Sequence, residues 1–378
     1  MRILHISPSY RPAYVYGGPT VSVSRLCESQ AAEGATIHVF TTTANGTEEL
    51  QVPIGKRQVI EGVQVWYFRR WTKDHTHFSP ALLWKVFRYS RHYDRVHIHS
   101  WWNFVAVFAV LMCWLRGVRP VLSTRGMLSR YSFEQQHRGA KKWLHRLLGN
   151  WLLSKTVLHG TTRKEIEEAQ LIRPNWPHFI APNIVPLPPI SAIPDRPRRK
   201  DGPLQLVYLS RIHPVKGLEL LFEALAKVSF PWSLNLIGVG DEDYISSLKQ
   251  LAAQLQFNDR LTWCGWVSGM AKLEYLYKAD LFVLTSQTEN FSNAVLEALA
   301  AGTPVLVSDQ VGMADYVQTA KMGWVCSLNA GSIKDNLEKI YTLTDPDIPG
   351  RLEMARQIRS AFAPKTVAQD YLNAYQTI

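Results

Sequence analysis

Cysteine is scarce: Cys27, Cys113, Cys264 and Cys326 are the four in 378 residues. No two of them form a C-x-x-C pair, so neither a disulfide framework nor a zinc ribbon is indicated, and a reduced compartment is the expected setting. Long apolar runs are also lacking. The longest, FVAVFAVLMCWL over Phe104–Leu115, is too short to span a bilayer and is expected to form a buried helix. The opening MRILHISPSY reads as a strand rather than as a charged-then-apolar signal peptide, so the chain is expected to be soluble and cytoplasmic. A G-x-G-x-x-G dinucleotide fingerprint is missing, as is any nucleic-acid motif. No D-x-D pair stands where it could hold Mg²⁺, and neither metal nor cofactor is expected.

Acidic residues are short in one half only. Residues 1–190 hold 24 Lys/Arg against 11 Asp/Glu, a net of +13, whereas residues 191–378 hold 18 against 20, a net of −2. The run RGAKKWLHR at 138–146, with Trp143 among its cations, suits an anionic lipid surface; a solvated helix face is the plain alternative.

Strand-type and helix-type stretches alternate in both halves, which predicts two parallel-sheet α/β domains. A strand over Arg2–Ser7 leads to Gly17 and Gly18, just ahead of a helix expected over 20–33. Glycine there lets backbone approach a phosphate, although a simple turn needs it equally. From the strand Arg95–His99 emerge Ser100, Trp101, Trp102 and Asn103, at the strand end where ligands of open α/β sheets bind; Trp101 is taken as an acceptor contact. His97 and His99, two apart, share a face of that strand. They suggest a metal pair with no third ligand apparent, or an ordinary core histidine. The strand 121–124 ends at Arg125, whose guanidinium can grip an acceptor phosphate or form an interdomain ion pair.

A proline-rich run, PLPPISAIPDRPRRKDGP, has no periodicity and marks a linker over 186–203. It separates residues 1–185, to which an amphipathic C-terminal helix at 364–378 is expected to return, from residues 204–363. Past the linker, the strand Leu204–Leu209 is followed by SRIHPVKG and a helix. Arg211 and Lys216 thus sit in the first β–α turn, where two cations oppose the helix dipole unless an anion joins them; a diphosphate is the expected one. The strand at 234–240 ends Gly-Val-Gly, with Gly240 shaping a nucleotide pocket.

The richest stretch is SQTENFSNAVLEALAAGTP, residues 286–304. An apolar strand precedes it, a helix begins near Asn293, and Gly302 with Pro304 stops that helix. Such a helix start presents amides to a phosphate, here those of Phe291, Ser292 and Asn293. Glu289, beside Asn290 in the turn, can reach sugar hydroxyls. Glu297, eight residues on, is expected near the same helix face. Each carboxylate also has a plain reading, as a dipole partner or a solvated charge.

With its ending FSN-x-x-x-E-A-x-A-x-G-T-P-V, this stretch resembles the E-x7-E motif of glycosyltransferase family 4, retaining enzymes of the GT-B fold. The segment S-R-x-x-x-x-K-G at Ser210–Gly217 resembles the same family's donor-phosphate motif, and Arg125-Gly126-Met127-Leu128 resembles segments of its bacterial surface-polysaccharide branch. Pro182-Asn183 resembles the family hinge, with Ile184 where glycine is usual. The resemblance implies two Rossmann-like domains facing across a cleft, the first for acceptor and the second for a nucleotide-diphosphate sugar. It implies that Gly17 and Gly18 contact donor phosphates and that His99 lies beside the reacting sugar. Arg211 and Lys216 then stabilise the leaving diphosphate, Glu289 positions the sugar ring, and Glu297 holds ribose hydroxyls. The implied acceptor is a saccharide or a polyprenyl-diphosphate-linked saccharide, with no nucleic acid involved. A nucleotide-sugar epimerase, a sugar-phosphate synthase, and a non-catalytic saccharide- or nucleic-acid-binding protein are the alternatives.

Overall fold

In the computed structural model, which describes residues 1–129, 149–193, 202–343 and 348–378, the chain divides into two α/β units. One comprises Met1–Val185 with Phe362–Ile378, the other Pro186–Ala361. The basic run at 138–146 lies outside the described residues, as do residues 194–201 of the proline-rich run.

The first unit contains β1 (Arg2–Ser7), β2 (Thr36–Thr42), β3 (Ala44–Asn45), β4 (Glu48–Glu49), β5 (Arg57–Ile60), β6 (Val63–Phe68), β7 (Arg95–His99), β8 (Val121–Ser123), β9 (Val157–Gly160) and β10 (His178–Ile180). Eight of these form one sheet in the order β10-β9-β8-β7-β1-β2-β6-β5, parallel except for the β5–β6 hairpin. Such strands are buried on both faces because helices cover both. Alternation along β7 sends Val96 and Ile98 to one apolar cluster, with Trp101 and the helix Phe104–Leu115. His97 and His99 face the other way. On that side Val367, Ala368, Tyr371, Leu372 and Tyr375 of the helix Pro364–Thr377 join Ile3, Ile37 and Val65.

The second unit contains β11 (Leu204–Leu209), β12 (Trp232–Ile237), β13 (Leu261–Gly265), β14 (Leu281–Leu284), β15 (Val305–Ser308) and β16 (Gly323–Cys326), ordered β13-β12-β11-β14-β15-β16. All pairs are parallel. Strand order reverses between β11 and β14, so the loops after them diverge and leave a crevice at their C-terminal ends. The same reversal lies between β1 and β7 in the first unit. The expected fold class is therefore met: two doubly wound parallel sheets.

Candidate functional site

At the β11/β14 reversal, Lys216 Nζ donates to Glu289 Oε2. Lys216 belongs to a short 3₁₀ turn, Pro214–Lys216, that His213 caps by accepting Val215 N–H at 3.2 Å. Burial, and then the charges of Arg211 and Lys216, lowers the His213 pKa. The turn is sewn to the neighbouring loop: Gln287 N–H donates to Val215 O at 2.8 Å, and Thr285 Oγ1 donates to Gly217 O at 3.0 Å. Gly217 has φ +65°, and a Cβ there would lie 2.2 Å from the Thr285 carbonyl oxygen. Only glycine permits that approach. Gly240 is equally tight, a Cβ falling 2.0 Å from Ile212 O. Its backbone bridges Ile212, one residue after Arg211, which is itself exposed.

The sequence expectation that the two cations require a ligand anion is corrected in part. Glu289, from the chain's own second loop, already supplies a counter-charge to Lys216. The expectation of a shared helix face for Glu289 and Glu297 is also corrected. Glu289 precedes the helix Asn293–Ala300, and its backbone is clamped to the loop after β15 by Gly312 N–H donating to Glu289 O at 2.6 Å. Glu297 is on the helix, where Lys272 Nζ donates to its Oε2 at 2.7 Å. Lys272, on the helix Gly269–Lys278, carries no signal in sequence spacing. Ser292 adopts φ +70°, a conformation that costs a non-glycine residue on the order of 1–3 kcal/mol, and its Oγ accepts Val295 N–H at 3.4 Å. Phe291 is buried beside it, with Asn290 and Asn293 half-buried.

In the first unit, Gly17 turns at φ +64° and exposed Gly18 opens the helix Gly18–Ala32. Arg125, at φ +52°, is half-buried. Its Nη1 donates to Asn183 Oδ1 at 2.7 Å and its Nη2 to His99 Nδ1 at 3.4 Å. Both partners are neutral and both lie in this unit, so the expected alternative of an interdomain ion pair is not what holds it. Trp101 is corrected: at 0% exposure it is a core residue and offers no surface to an acceptor. His99 is 1% exposed and bonds inward, its Nε2 lying 2.9 Å from His5 Nδ1.

His5 is the third histidine that strand spacing concealed. Ligand atoms of His5, His97 and His99 lie within 4.8 Å of one another. Each of their ring nitrogens nevertheless has a partner, Gln30, Tyr375, Ser123 and Arg125 among them. A metal ion would have to break these bonds, so the set fits a hydrogen-bonded network better than an ion. Burial first, and then neighbouring cations or histidines, holds His97 and His99 well below the usual imidazole range.

Two family descriptions match the chain in tandem. The Glycosyl transferase 4-like domain family matches residues 17–183, and the Glycosyl transferases group 1 family matches residues 190–360. An uncharacterized glycosyltransferase of Methanocaldococcus jannaschii is 32% identical over 145 residues, 38% of this chain and 37% of that one. N-acetyl-alpha-D-glucosaminyl L-malate synthase of Bacillus anthracis is 26% identical over 46% of this chain and 44% of its own. The chain thus spans less than half the length of either of these relatives. D-inositol 3-phosphate glycosyltransferase of an Arthrobacter species is 25% identical over 94% of this chain and 89% of its own. Among solved structures, Anabaena HepE in complex with UDP and glucose superposes with a TM-score of 0.74 at 16% identity, covering all of both chains. Sucrose-phosphate synthase from Thermosynechococcus elongatus gives 0.73 at 18%, covering 100% of this chain and 99% of that one. The chain carries a Glycosyl transferase 4-like domain followed by a Glycosyl transferases group 1 domain, on two α/β units of the GT-B fold.

Proposed function

We propose that this chain is a retaining, metal-independent glycosyltransferase. It moves a sugar from a nucleotide-diphosphate sugar to a saccharide or polyprenyl-diphosphate-linked acceptor, in exopolysaccharide, capsule or O-antigen synthesis. The observation that carries the reading is the Lys216–Glu289 pair at the β11/β14 reversal. It puts a cation for a leaving phosphate beside a carboxylate for sugar hydroxyls. The neighbour bound to UDP and glucose supports the donor class.

In the proposed reaction the bond between the anomeric carbon and the diphosphate oxygen breaks. Arg211, Lys216 and the amides of Phe291, Ser292 and Asn293 stabilise the departing charge. The acceptor hydroxyl attacks from the face that the diphosphate leaves, and its proton passes to a departing phosphate oxygen. Glu289 orients the ring and Glu297 the ribose, with Gly240 and Asn290 lining the donor. The second unit holds the donor, and the first unit holds the acceptor through Arg125 with His99 behind it.

The acceptor is assigned to a membrane surface on two grounds. One is the +13 charge of residues 1–190. The other is the exposed apolar surface of Phe104, Trp114 and Leu115 on the helix Phe104–Leu115, where Trp114 packs on Trp151 and Lys155 lies over the Trp151 ring. Aromatics among cations suit the headgroup layer.

The test is a thermal-shift panel of UDP, GDP and ADP sugars, followed by label transfer from the stabilising sugar to saccharide and lipid-linked acceptors in excess EDTA. Stabilisation by one sugar nucleotide and labelled product in EDTA are expected. Isomerised donor without labelled acceptor would mark an epimerase, and dependence on added Mg²⁺ or Mn²⁺ would end the metal-free account.

A further inference from the structure

Beneath Arg125 the first unit buries four histidines, His5, His97, His99 and His159, together with Gln30, Ser123 and Tyr375. Strand register brings them together: His5 pairs with His97 across β1–β7, His99 with Ser123 across β7–β8, and Ser123 with His159 across β8–β9. Two ends of this network have fixed polarity. Arginine can only donate, and the Ala181 carbonyl can only accept.

From the arginine end, Arg125 Nη2 donates to His99 Nδ1, so neutral His99 carries its proton on Nε2. That Nε2 donates to His5 Nδ1 at 2.9 Å, which leaves the His5 proton on Nε2. His5 Nε2 donates in turn to Gln30 Oε1 at 2.9 Å. From the carbonyl end, His159 Nε2 donates to Ala181 O at 2.9 Å, so its Nδ1 accepts from Ser123 Oγ at 2.6 Å. Ser123 Oγ then accepts from His97 Nε2 at 2.6 Å, and His97 Nδ1 accepts from Tyr375 OH at 2.6 Å. The Tyr375 oxygen accepts from Gln30 Nε2 at 3.5 Å.

The two halves meet at the Gln30 carboxamide, which accepts on one arm and donates on the other. One direction of donation gives every imidazole nitrogen a partner, and all four imidazoles share the Nε2–H tautomer. Protonating His99 would set an N–H against the Arg125 N–H. Burial opposes it as well, holding His5 at about 4 and His159 at about 3.

Arg125 itself has no carboxylate within ion-pair distance among the described residues, and its Nε is buried without a partner. A half-buried guanidinium propped only by neutral acceptors keeps its charge available to an anion.

We propose that His5 and Tyr375 are positioning residues: through this one-way chain they hold His99 in a single tautomer, and His99 aims the Arg125 guanidinium at a phosphate group of the acceptor. The inference rests on the reading of Arg125 as the acceptor-phosphate group. It adds that the C-terminal helix, through Tyr375, sets the grip of a residue 250 positions earlier in the chain.

The experiment is imidazole ¹⁵N–¹H spectroscopy on the full chain, with inorganic pyrophosphate as the probe and the His99 ring signals as the local reporter. At pH 7 all four histidines should be neutral and protonated on Nε2, and pyrophosphate should shift His99 saturably. Tyr375→Phe, which removes one oxygen, should leave His97 Nδ1 without a donor and free Gln30 to turn. His99 should then populate both tautomers, and the pyrophosphate affinity read at His99 should fall about fivefold, the worth of one hydrogen bond. Gln30→Met should do the same. A proton on Nδ1 of any of the four in the unmodified chain would overturn the assignment, as would wild-type His99 signals and affinity in both variants. Arg125→Ala should abolish the His99 response; a response that persists there, with the tautomers intact, would overturn the anion grip instead.

Discussion

Lys216 and Glu289 lie 73 positions apart and meet as an ion pair where β11 and β14 part company, the lysine 7% exposed and the glutamate side chain more open. A lysine this enclosed needs a counter-charge, and Glu289 provides one before any donor arrives. The pair is therefore both a structural clasp between two loops and the proposed reacting site. A donor diphosphate would share the lysine with the carboxylate, which couples donor binding to the position of the sugar-orienting group.

Lys216→Ala should separate these two roles. Turnover is expected to fall ~10²–10³-fold with the loss in kcat, because the lysine is proposed to stabilise charge that develops on the leaving group. Stability should fall by about 1–3 kcal/mol as Glu289 loses its partner. Adding Glu289→Gln should recover most of that stability in denaturant melts and none of the turnover. Wild-type kcat in the single variant would remove Lys216 from the reaction.

Gly240→Ala tests the backbone that supports Arg211. Its new Cβ would collide with Ile212 O, which is backbone and cannot swing aside. The 210–212 segment must shift, at about 1–3 kcal/mol by analogy with an overpacked core. Donor-nucleotide stabilisation should shrink with it. A variant that melts and binds like the parent would show the loop to be more compliant than its geometry implies.

The histidine network predicts an acid limit on stability. His5, His97, His99 and His159 are all held neutral, below their ordinary value of 6.5, chiefly by burial. The unfolded chain therefore binds more protons than the folded one as pH falls through 6.5. Stability is full above that value and is lost below it, the His5 contribution levelling off near its folded pKa of about 4. Each imidazole kept neutral in the folded chain adds at most about 1.4 kcal/mol per pH unit to this slope. Urea melts between pH 7 and 5 measure this, and a flat profile would mean that the imidazoles can ionise in place.

Membrane attachment is expected to be electrostatic and reversible. Each basic residue near an anionic surface contributes about 1 kcal/mol, and 1 M salt shortens screening to roughly 3 Å. Co-sedimentation with vesicles containing anionic lipid should succeed at low salt and fail at high salt. Vesicles lacking anionic lipid should leave the protein in the supernatant. Equal recovery in the supernatant under every condition would point to a soluble acceptor.

The alternation of strands and helices was readable from the chain because it is written in local periodicity. Each strand is a short apolar run, and Gly302 with Pro304 ends its helix wherever that helix sits. The run from Ser210 to Gly217 and the stretch 286–304 carried the family resemblance on contiguous residues, so Arg211, Lys216, Glu289 and Glu297 could be singled out without a structure. Their partners could not. Lys272 reaches Glu297 only because two helices pack, and Glu289 leaves the helix face that its spacing suggested because the loop after β15 takes hold of its backbone. Trp101 looked like a ligand contact from its place after β7, yet packing turned it into the core. The histidine chain was the least visible. Gln30 and Tyr375 are 345 residues apart, and His5 meets His97 and His99 only once sheet order puts β1 beside β7. Local sequence decided which segments are strands and helices, because backbone propensity and side-chain period act within a few residues. Which polar side chains share a buried space was decided by strand order and register, which no local pattern encodes.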